Sequence, residues 1–412
     1  MDNLLTLIES AGYQGRWIRP ETLLMVACAR TDMTEGLEEH VRGLLRRDID
    51  WTRLGEAAAF NGVTPLVCWN LLNRFSESLP ATVLFQIQER LSLYVRRNLG
   101  LTKELLEILS LFREKGIDAI PYKGPALAAL AYGNLSLRTF YDLDILVRRR
   151  DVFEAKTLLT SQGYRPFGHL SERQEAARLR SGQGKDFKLM RGDGEVVVEL
   201  HWNVATSSLL RIDPGIFWNS AETTLLAGRQ ATTFSLEDWL VVLTIHGSKH
   251  GWERLQWVCD VAQLAQRNPR IDWTRVDWRA GQIGSRRMLH LGLLFAGSLY
   301  DLRLPDDAFT GSHATPAIVS LAQEMAESFL VNPVRPGPNS RGLRYQARLK
   351  DRPAERLQST VHHGVRRFKN AFTPSARDKA IINLPVFLFF LYYFVRPVRL
   401  LVECAFKRAK QT

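Results

Sequence analysis

The chain has 412 residues, 45% of them hydrophobic and 24% charged, with 55 Lys plus Arg against 43 Asp plus Glu and a formal net charge of +12. That composition excludes a disordered or collagen-like chain and a multipass membrane protein, and the length suffices for two or three cores. The positive charge invites an anionic partner, yet it is unevenly placed: residues 331–412 hold 17 Lys plus Arg against 4 Asp plus Glu, and residues 1–330 hold 38 against 39. The expectation is a nearly neutral body with a cationic, aromatic-rich tail that docks onto an acidic surface of its own body, a partner or a membrane, so the charge argues much less for a nucleic-acid enzyme than the total suggests.

The opening segment MDNLLTLIES carries acids at Asp2 and Glu9 and no basic stretch before an apolar run, so no secretory signal is expected and the cytoplasm is the expected location. Cys28, Cys68, Cys259 and Cys404 form no CxxC pair and read as free thiols. From Glu21 to about Lys115 apolar residues recur at helical spacing, with breaks at Asp48–Asp50, Asn61-Gly62 and Ser76–Pro80. Residues 1–115 are therefore expected to form a helical N-terminal region.

The texture then changes. IDAIPY (Ile117–Tyr122) reads as a strand, Lys123-Gly124-Pro125 as a turn, and ALAALAY (Ala126–Tyr132) as helix. FYDLDILV (Phe140–Val147) alternates, placing Asp142 and Asp144 on one face and Leu143 and Ile145 on the other. A helix is expected from Asp151 to about Gln162, stopped by Gly163. DFKLMR (Asp186–Arg191) and EVVVELHW (Glu195–Trp202) flank Gly192-Asp193-Gly194, a hairpin signal. On the second of these strands Glu195, Val197, Glu199 and His201 share one face. The expected fold class is α+β: a small mixed-sheet domain over residues 116–232, flanked by helical N-terminal and C-terminal regions.

SLED (Ser235–Asp238) opens a further helical domain, expected over residues 233–330. Residues 331–412 form the basic tail, in which AIINLPVFLFFLYYFV (Ala380–Val395) is shorter than the ~20 apolar residues needed to span a bilayer. A buried core helix is expected there. The alternative is peripheral membrane contact through residues 380–410, with Arg396, Arg399, Lys407 and Arg408 on anionic headgroups.

The chemistry concentrates in Lys123-Gly124, Arg138, Asp142, Asp144 and Glu199. Carboxylates at i and i+2 of a strand project the same way, and a third from a neighbouring strand completes a set of hard oxygen ligands suited to Mg²⁺, with Mn²⁺ as the alternative. An Asp-x-Asp by itself is commonly a solvated strand face; with the glycine turn, Arg138 and Glu199 in this order it reads as a metal site. Glu195 shares the face and competes with Glu199 for the third place. Arg138 either meets a phosphate or neutralises Asp142, and His201 reads more as a structural imidazole than as a base. His246, Lys249 and His250 form a second cluster. The four-residue histidine spacing lacks the glutamate of a helical zinc pair, so the cluster is read as binding nucleotide or acceptor. Trp252 and Trp257 read as core.

The stretch YKGPALAALAYGNLSLRTFYDLDILV (Tyr122–Val147), then VELHW and IHGSKHGWERLQWVCD, resembles the uncharacterised bacterial nucleotidyltransferase family of the polymerase-beta-like superfamily. The resemblance runs from about Asp50 to Trp278 and includes the C-terminal apolar tail. It implies a Mg²⁺-dependent transfer of a nucleoside monophosphate from a nucleoside triphosphate to an unidentified hydroxyl or phosphate acceptor. Carried over by position, Asp142, Asp144 and Glu199 would be the catalytic metal ligands, and Lys123, Gly124 and Arg138 would hold the donor. The expected acceptor is a small molecule, peptide or protein, with nucleic acid ranked last. One departure stands out: the superfamily has Gly-Ser or Gly-Gly at the phosphate turn, where this chain has Lys-Gly-Pro. That departure motivates the alternative of a catalytically inactive nucleotide- or peptide-binding accessory protein on the same scaffold.

Overall fold

The computed structural model describes residues 18–168, 170–181, 184–192, 194–206, 209–305, 315–333 and 343–351, together with Leu391. The expectations for residues 380–410 concern a segment outside the described residues. The chain separates into two compact units, residues 1–342 and 343–412.

In the first unit, α1 (Pro20–Cys28) starts with proline, whose fixed φ suits a first helical turn. Next come α2 (Glu35–Leu45), with Thr34 accepting from the Leu37 amide, and α3 (Trp51–Phe60), with Asp50 accepting from the Arg53 amide. After α4 (Thr64–Arg74) the chain enters α5 (Ala81–Glu114), 34 residues long. Only its C-terminal half carries the apolar stripe Leu101, Leu105, Ile108, Leu109 and Phe112, and only that half lies under the sheet.

The sheet then assembles. Strand β1 (Ala119–Tyr122) leads into α6 (Gly124–Leu127), which continues as one π-helical turn over Ala128–Tyr132 and stops at Gly133, where φ is +64°. Strand β2 (Asp142–Val147), α7 (Val152–Ser161), β3 (Tyr164–Pro166), α8 (Glu172–Arg180), β4 (Asp186–Arg191) and β5 (Val196–His201) follow. The strand order is β1-β2-β5-β4-β3, with β2 and β5 parallel and every other pair antiparallel. Leu143, Ile145 and Val147 of β2 and Val196, Val198 and Leu200 of β5 face α5 and α7 in one buried cluster. By strand alternation the other face carries Asp142, Asp144, Glu199 and His201.

Helix α9 (Gly215–Trp218) precedes a separate hairpin of β6 (Glu222–Leu226) and β7 (Arg229–Thr233). Then α10 (Leu236–Lys249) begins with Ser235 accepting from the Asp238 amide. It is followed by α11 (Leu255–Arg267), α12 (Trp273–Ile283), α13 (Arg286–Tyr300) and α14 (Pro316–Val331). The fully buried Trp252 ring fills the space between α10 and α13, where only glycine fits. A Cβ at Gly247 would lie 2.5 Å from that ring, and one at Gly292 would lie 2.8 Å from it. In the second unit the described helix is α15 (Leu343–Arg348). No helix among the described residues is long and apolar enough to cross a membrane.

The mixed sheet between helical regions agrees with the α+β expectation. Strand β3 and the hairpin β6–β7 escape a reading of the sequence. The first is a three-residue edge strand. The second turns on Ala227-Gly228 with φ of +47° and +78°, so an alanine occupies a left-handed position for which Asn or Gly is the usual signal.

Candidate active site

The polar face of the sheet is built around two registers. In the parallel pair, Asp144 of β2 lies opposite Glu199 of β5, and Asp142 lies opposite Val197. In the antiparallel pair, Glu199 lies opposite Lys188 of β4, and His201 lies opposite Asp186. Glu199, and not Glu195, is therefore the carboxylate that β5 delivers to Asp144.

At the end of β1 the backbone turns at Lys123 with φ +58° and ψ −148°, a region that glycine enters freely and other residues occupy at a cost of about 1–3 kcal/mol. Gly124 follows at φ +42°. The turn brings the Lys123 ammonium to Asp144, donating to Oδ1 over 3.0 Å.

His201 is fully buried at the centre. Its Nε2 lies 2.9 Å from Asp144 Oδ1 and 3.3 Å from Glu199 Oε2, and its Nδ1 lies 3.2 Å from the Lys185 ammonium. A proton on Nε2 satisfies both ring nitrogens, with Nε2–H donating to Asp144 and Nδ1 accepting from Lys185. The Tyr122 ring meets the imidazole edge-on at 5.0 Å. Lys185 also pairs with Asp186 at 2.5 Å, and Lys188 donates to Glu199.

These contacts separate the carboxyls. Burial alone would raise the Asp144 carboxyl, but the Lys123 charge and the His201 hydrogen bond override it and hold the group well below the usual carboxylate range. Glu199 is likewise buried, and its bonds to His201 and Lys188 bring it down to about 2. Asp186 is lowered, burial being outweighed by His201 and Lys185. Asp142 behaves oppositely: burial, then the Asp144 charge, push it up to about 6 against the partial relief from Lys123.

The residues fit a hard divalent cation. One ligand atom each from Asp144, Glu199 and His201 lies within 4.8 Å of the others, and Asp142 is a neighbouring carboxylate whose ionisation burial and the Asp144 charge oppose. With an Nε2 proton directed at Asp144, His201 orients the carboxylates, whose oxygens are the donors beside it.

The C-terminal end of α10 carries Lys249, which feels the charges of Lys185, Lys123, Asp186 and Glu199. Burial and the two neighbouring lysines bring its ammonium down to about 8. His246 is lowered by burial, then by Lys123, His250 and Lys249. The His246 and His250 rings lie 4.8 Å apart and each packs on Trp257, at 5.3 and 5.1 Å. Among the described residues these two histidines join no three-residue group with metal-ligand geometry.

Arg138 is placed elsewhere. Its Nε and Nη2 donate to the two carboxylate oxygens of Asp260 on α11 at 2.8 and 2.9 Å, and Tyr132 donates to the same carboxylate at 2.8 Å. It is buried to 5% exposure, so its carboxylate partner is Asp260 and not Asp142. The pair clamps the loop before β2 onto α11. Lys185, Asp186 and Lys188 are the site residues that sequence reasoning passed over. The available signal was the alternation of Asp186 and Lys188, which the Gly192–Gly194 turn places opposite His201 and Glu199.

Carboxylates, lysines and a buried imidazole gather on the polar face of the mixed sheet, with ligand atoms placed to hold a divalent metal ion. A family model described as uncharacterised nucleotidyltransferase matches residues 47–301, more than half of the chain, and the chain belongs to that family. No curated protein matches the chain.

Proposed function

We propose that the protein is a Mg²⁺-dependent nucleotidyltransferase. It moves a nucleoside monophosphate from a nucleoside triphosphate to a hydroxyl or phosphate acceptor and releases pyrophosphate. The observation that carries this reading is the pairing of Asp144 with Glu199 across parallel strands, with Asp142 two residues before on the same face. Asp142, Asp144 and Glu199 would hold Mg²⁺, with Mn²⁺ as the substitute. When bound, the ion neutralises phosphate oxygens and lowers the pKa of an attacking hydroxyl.

The chain's own residues do the rest. His201 fixes the orientations of Asp144 and Glu199. Lys123, aimed by its left-handed backbone, exchanges Asp144 for a donor phosphate oxygen, and the Gly124 amide supports the same phosphates. Lys249 adds a second cation to the polyphosphate, while His246 and His250 with Trp257 border the nucleotide or acceptor. Arg138 holds the loop before β2 in place.

Incubation with a nucleoside triphosphate labelled on the α-phosphate, Mg²⁺ and cell extract tests the reading. Label transfer is expected with the unmodified chain and lost in Asp142→Asn/Asp144→Asn. Transfer that persists in the double variant refutes it. One observation favours a second reading, a nucleotide-binding accessory protein without turnover: Lys123, Lys185 and Lys188 already pair with Asp144, Asp186 and Glu199. Calorimetric nucleotide binding with no pyrophosphate release, whatever acceptor is supplied, would select it.

A further inference from the structure

One residue before Asp142, the chain presents a surface that the proposed donor site does not use. Tyr141 is 45% exposed. The Arg97 guanidinium stacks 4.0 Å from its ring centroid, and its phenol oxygen lies 3.5 Å from that of Tyr94. Arg254, which precedes α11, acts electrostatically on the same phenol. Arg97 and Arg254 are exposed, and among the described residues neither pairs with a carboxylate.

The three elements that meet here are locked from beneath. Asn98, next to Arg97, donates to the carbonyls of Leu135 and Arg138 at 2.7 and 2.9 Å. Gln256, two residues after Arg254, donates to the Thr139 carbonyl at 2.7 Å, two residues before Tyr141. The Arg138–Asp260 pair closes the same loop onto α11. Every member of the exposed trio is thus within two residues of a buried polar anchor, and the trio is held as a preformed platform. An exposed aromatic ring stacked on one guanidinium, with a second exposed arginine at the start of the adjoining helix, suits a planar or phosphorylated anion through stacking and forked hydrogen bonds.

We infer that Tyr141, Arg97 and Arg254 form the acceptor-binding surface of this enzyme and that the acceptor is a small molecule bearing a phosphate group. The inference rests on the nucleotidyltransferase reading for the word acceptor. The phosphate site itself is independent of that reading. Charge selects the occupant: the donor pocket pairs its lysines with carboxylates, whereas among the described residues Arg97 and Arg254 pair with none. Position selects its role, because Tyr141 is bonded directly to the first proposed metal ligand.

The experiment is calorimetric titration of the full chain with adenosine 5′-monophosphate, inorganic phosphate and adenosine. Each is run with and without Mg²⁺ and a saturating α,β-methylene nucleoside triphosphate. The monophosphate and phosphate are expected to bind in both conditions and adenosine is not. Arg97→Ala and Arg254→Ala should each weaken phosphate binding about tenfold and leave the affinity for the triphosphate analogue within twofold. Arg97→Lys should weaken it less than Arg97→Ala. Circular dichroism of these exposed-site variants should match the parent. Absence of phosphate binding beside a bound triphosphate analogue, or phosphate binding indifferent to both arginines, overturns the inference. A single-stranded oligonucleotide that binds more tightly than the monophosphate, with the same arginine dependence, overturns the small-molecule assignment. Failure of the triphosphate analogue to bind counts against the proposed function alone, since the arginine-dependent phosphate site is read separately.

Discussion

Asp142 stands at about 6 in the metal-free protein, against 3.8 for an unhindered aspartate, because burial and the Asp144 and Glu199 charges oppose its ionisation. Between those two pH values the folded chain binds more protons at this group than the unfolded chain does, so stability falls as pH rises through that window and stays lower above it. At about 1.4 kcal/mol per pH unit the full difference approaches 3 kcal/mol, and allowance for the partial exposure of the carboxyl leaves about 2 kcal/mol. Asp142→Asn removes the charge while keeping the shape. In EDTA the variant should therefore be more stable than the parent by about 2 kcal/mol at pH 8, a rise of about 2–3 °C in unfolding midpoint for a chain of this length. The advantage should shrink to nothing near pH 4, where the parent carboxyl is protonated as well. Thermal unfolding followed by circular dichroism from pH 4 to pH 8 is the assay. Equal midpoints at pH 8, or an advantage that does not change with pH, would refute the reasoning. The same substitution should abolish label transfer, so stability and turnover move in opposite directions at one carboxylate.

Other perturbations have distinct signatures. Lys123→Ala and Lys123→Gly both delete the ammonium, but only glycine relaxes the left-handed backbone; the glycine variant should be about 1–2 kcal/mol more stable than the alanine variant, with triphosphate affinity lowered in both. Asp260→Ala strands the buried Arg138 and should cost about 3–5 kcal/mol in chemical denaturation. Lys249 is brought down to about 8, so the metal-free protein should take up close to one proton when it binds a polyphosphate at pH 9, measured by calorimetry in buffers of different ionisation heat. Lys249→Arg should remove that uptake, because the guanidinium stays charged.

The sequence discloses those features that depend on local pattern. Alternation places Asp142 with Asp144 and Glu199 with His201, and the glycine-rich turn pairs β4 with β5; the observed strands follow within a residue or two. Pairings between distant segments leave no such trace. The bond from Arg138 to Asp260 joins positions 122 residues apart, and an arginine four residues before an Asp-x-Asp gives no sign that its partner lies on another helix. The counter-charges were hidden similarly: Lys185 and Lys188 enter the site only once register sets them beside His201 and Glu199. The left-handed Lys123 is invisible to propensity, since lysine there contradicts the conformation it adopts. Helix α8 is a polar segment secured by the Ser171–Gln174 capping box, with little apolar periodicity to announce it.

The Arg138 clamp also bears on how the molecule is made. A ribosome has delivered the whole sheet by the time His201 emerges, yet the loop that feeds Asp142 into β2 has no anchor until α11 follows. Until then a guanidinium destined for the interior must stay in water, and the strand it precedes is free to fray. A chain ended near residue 232 would hold every carboxylate of the centre with its lysine and histidine partners, and would lack the Asp260 anchor of the loop before Asp142. The loop that leads into the centre is thus held by a contact made only when the helices after the sheet are in place.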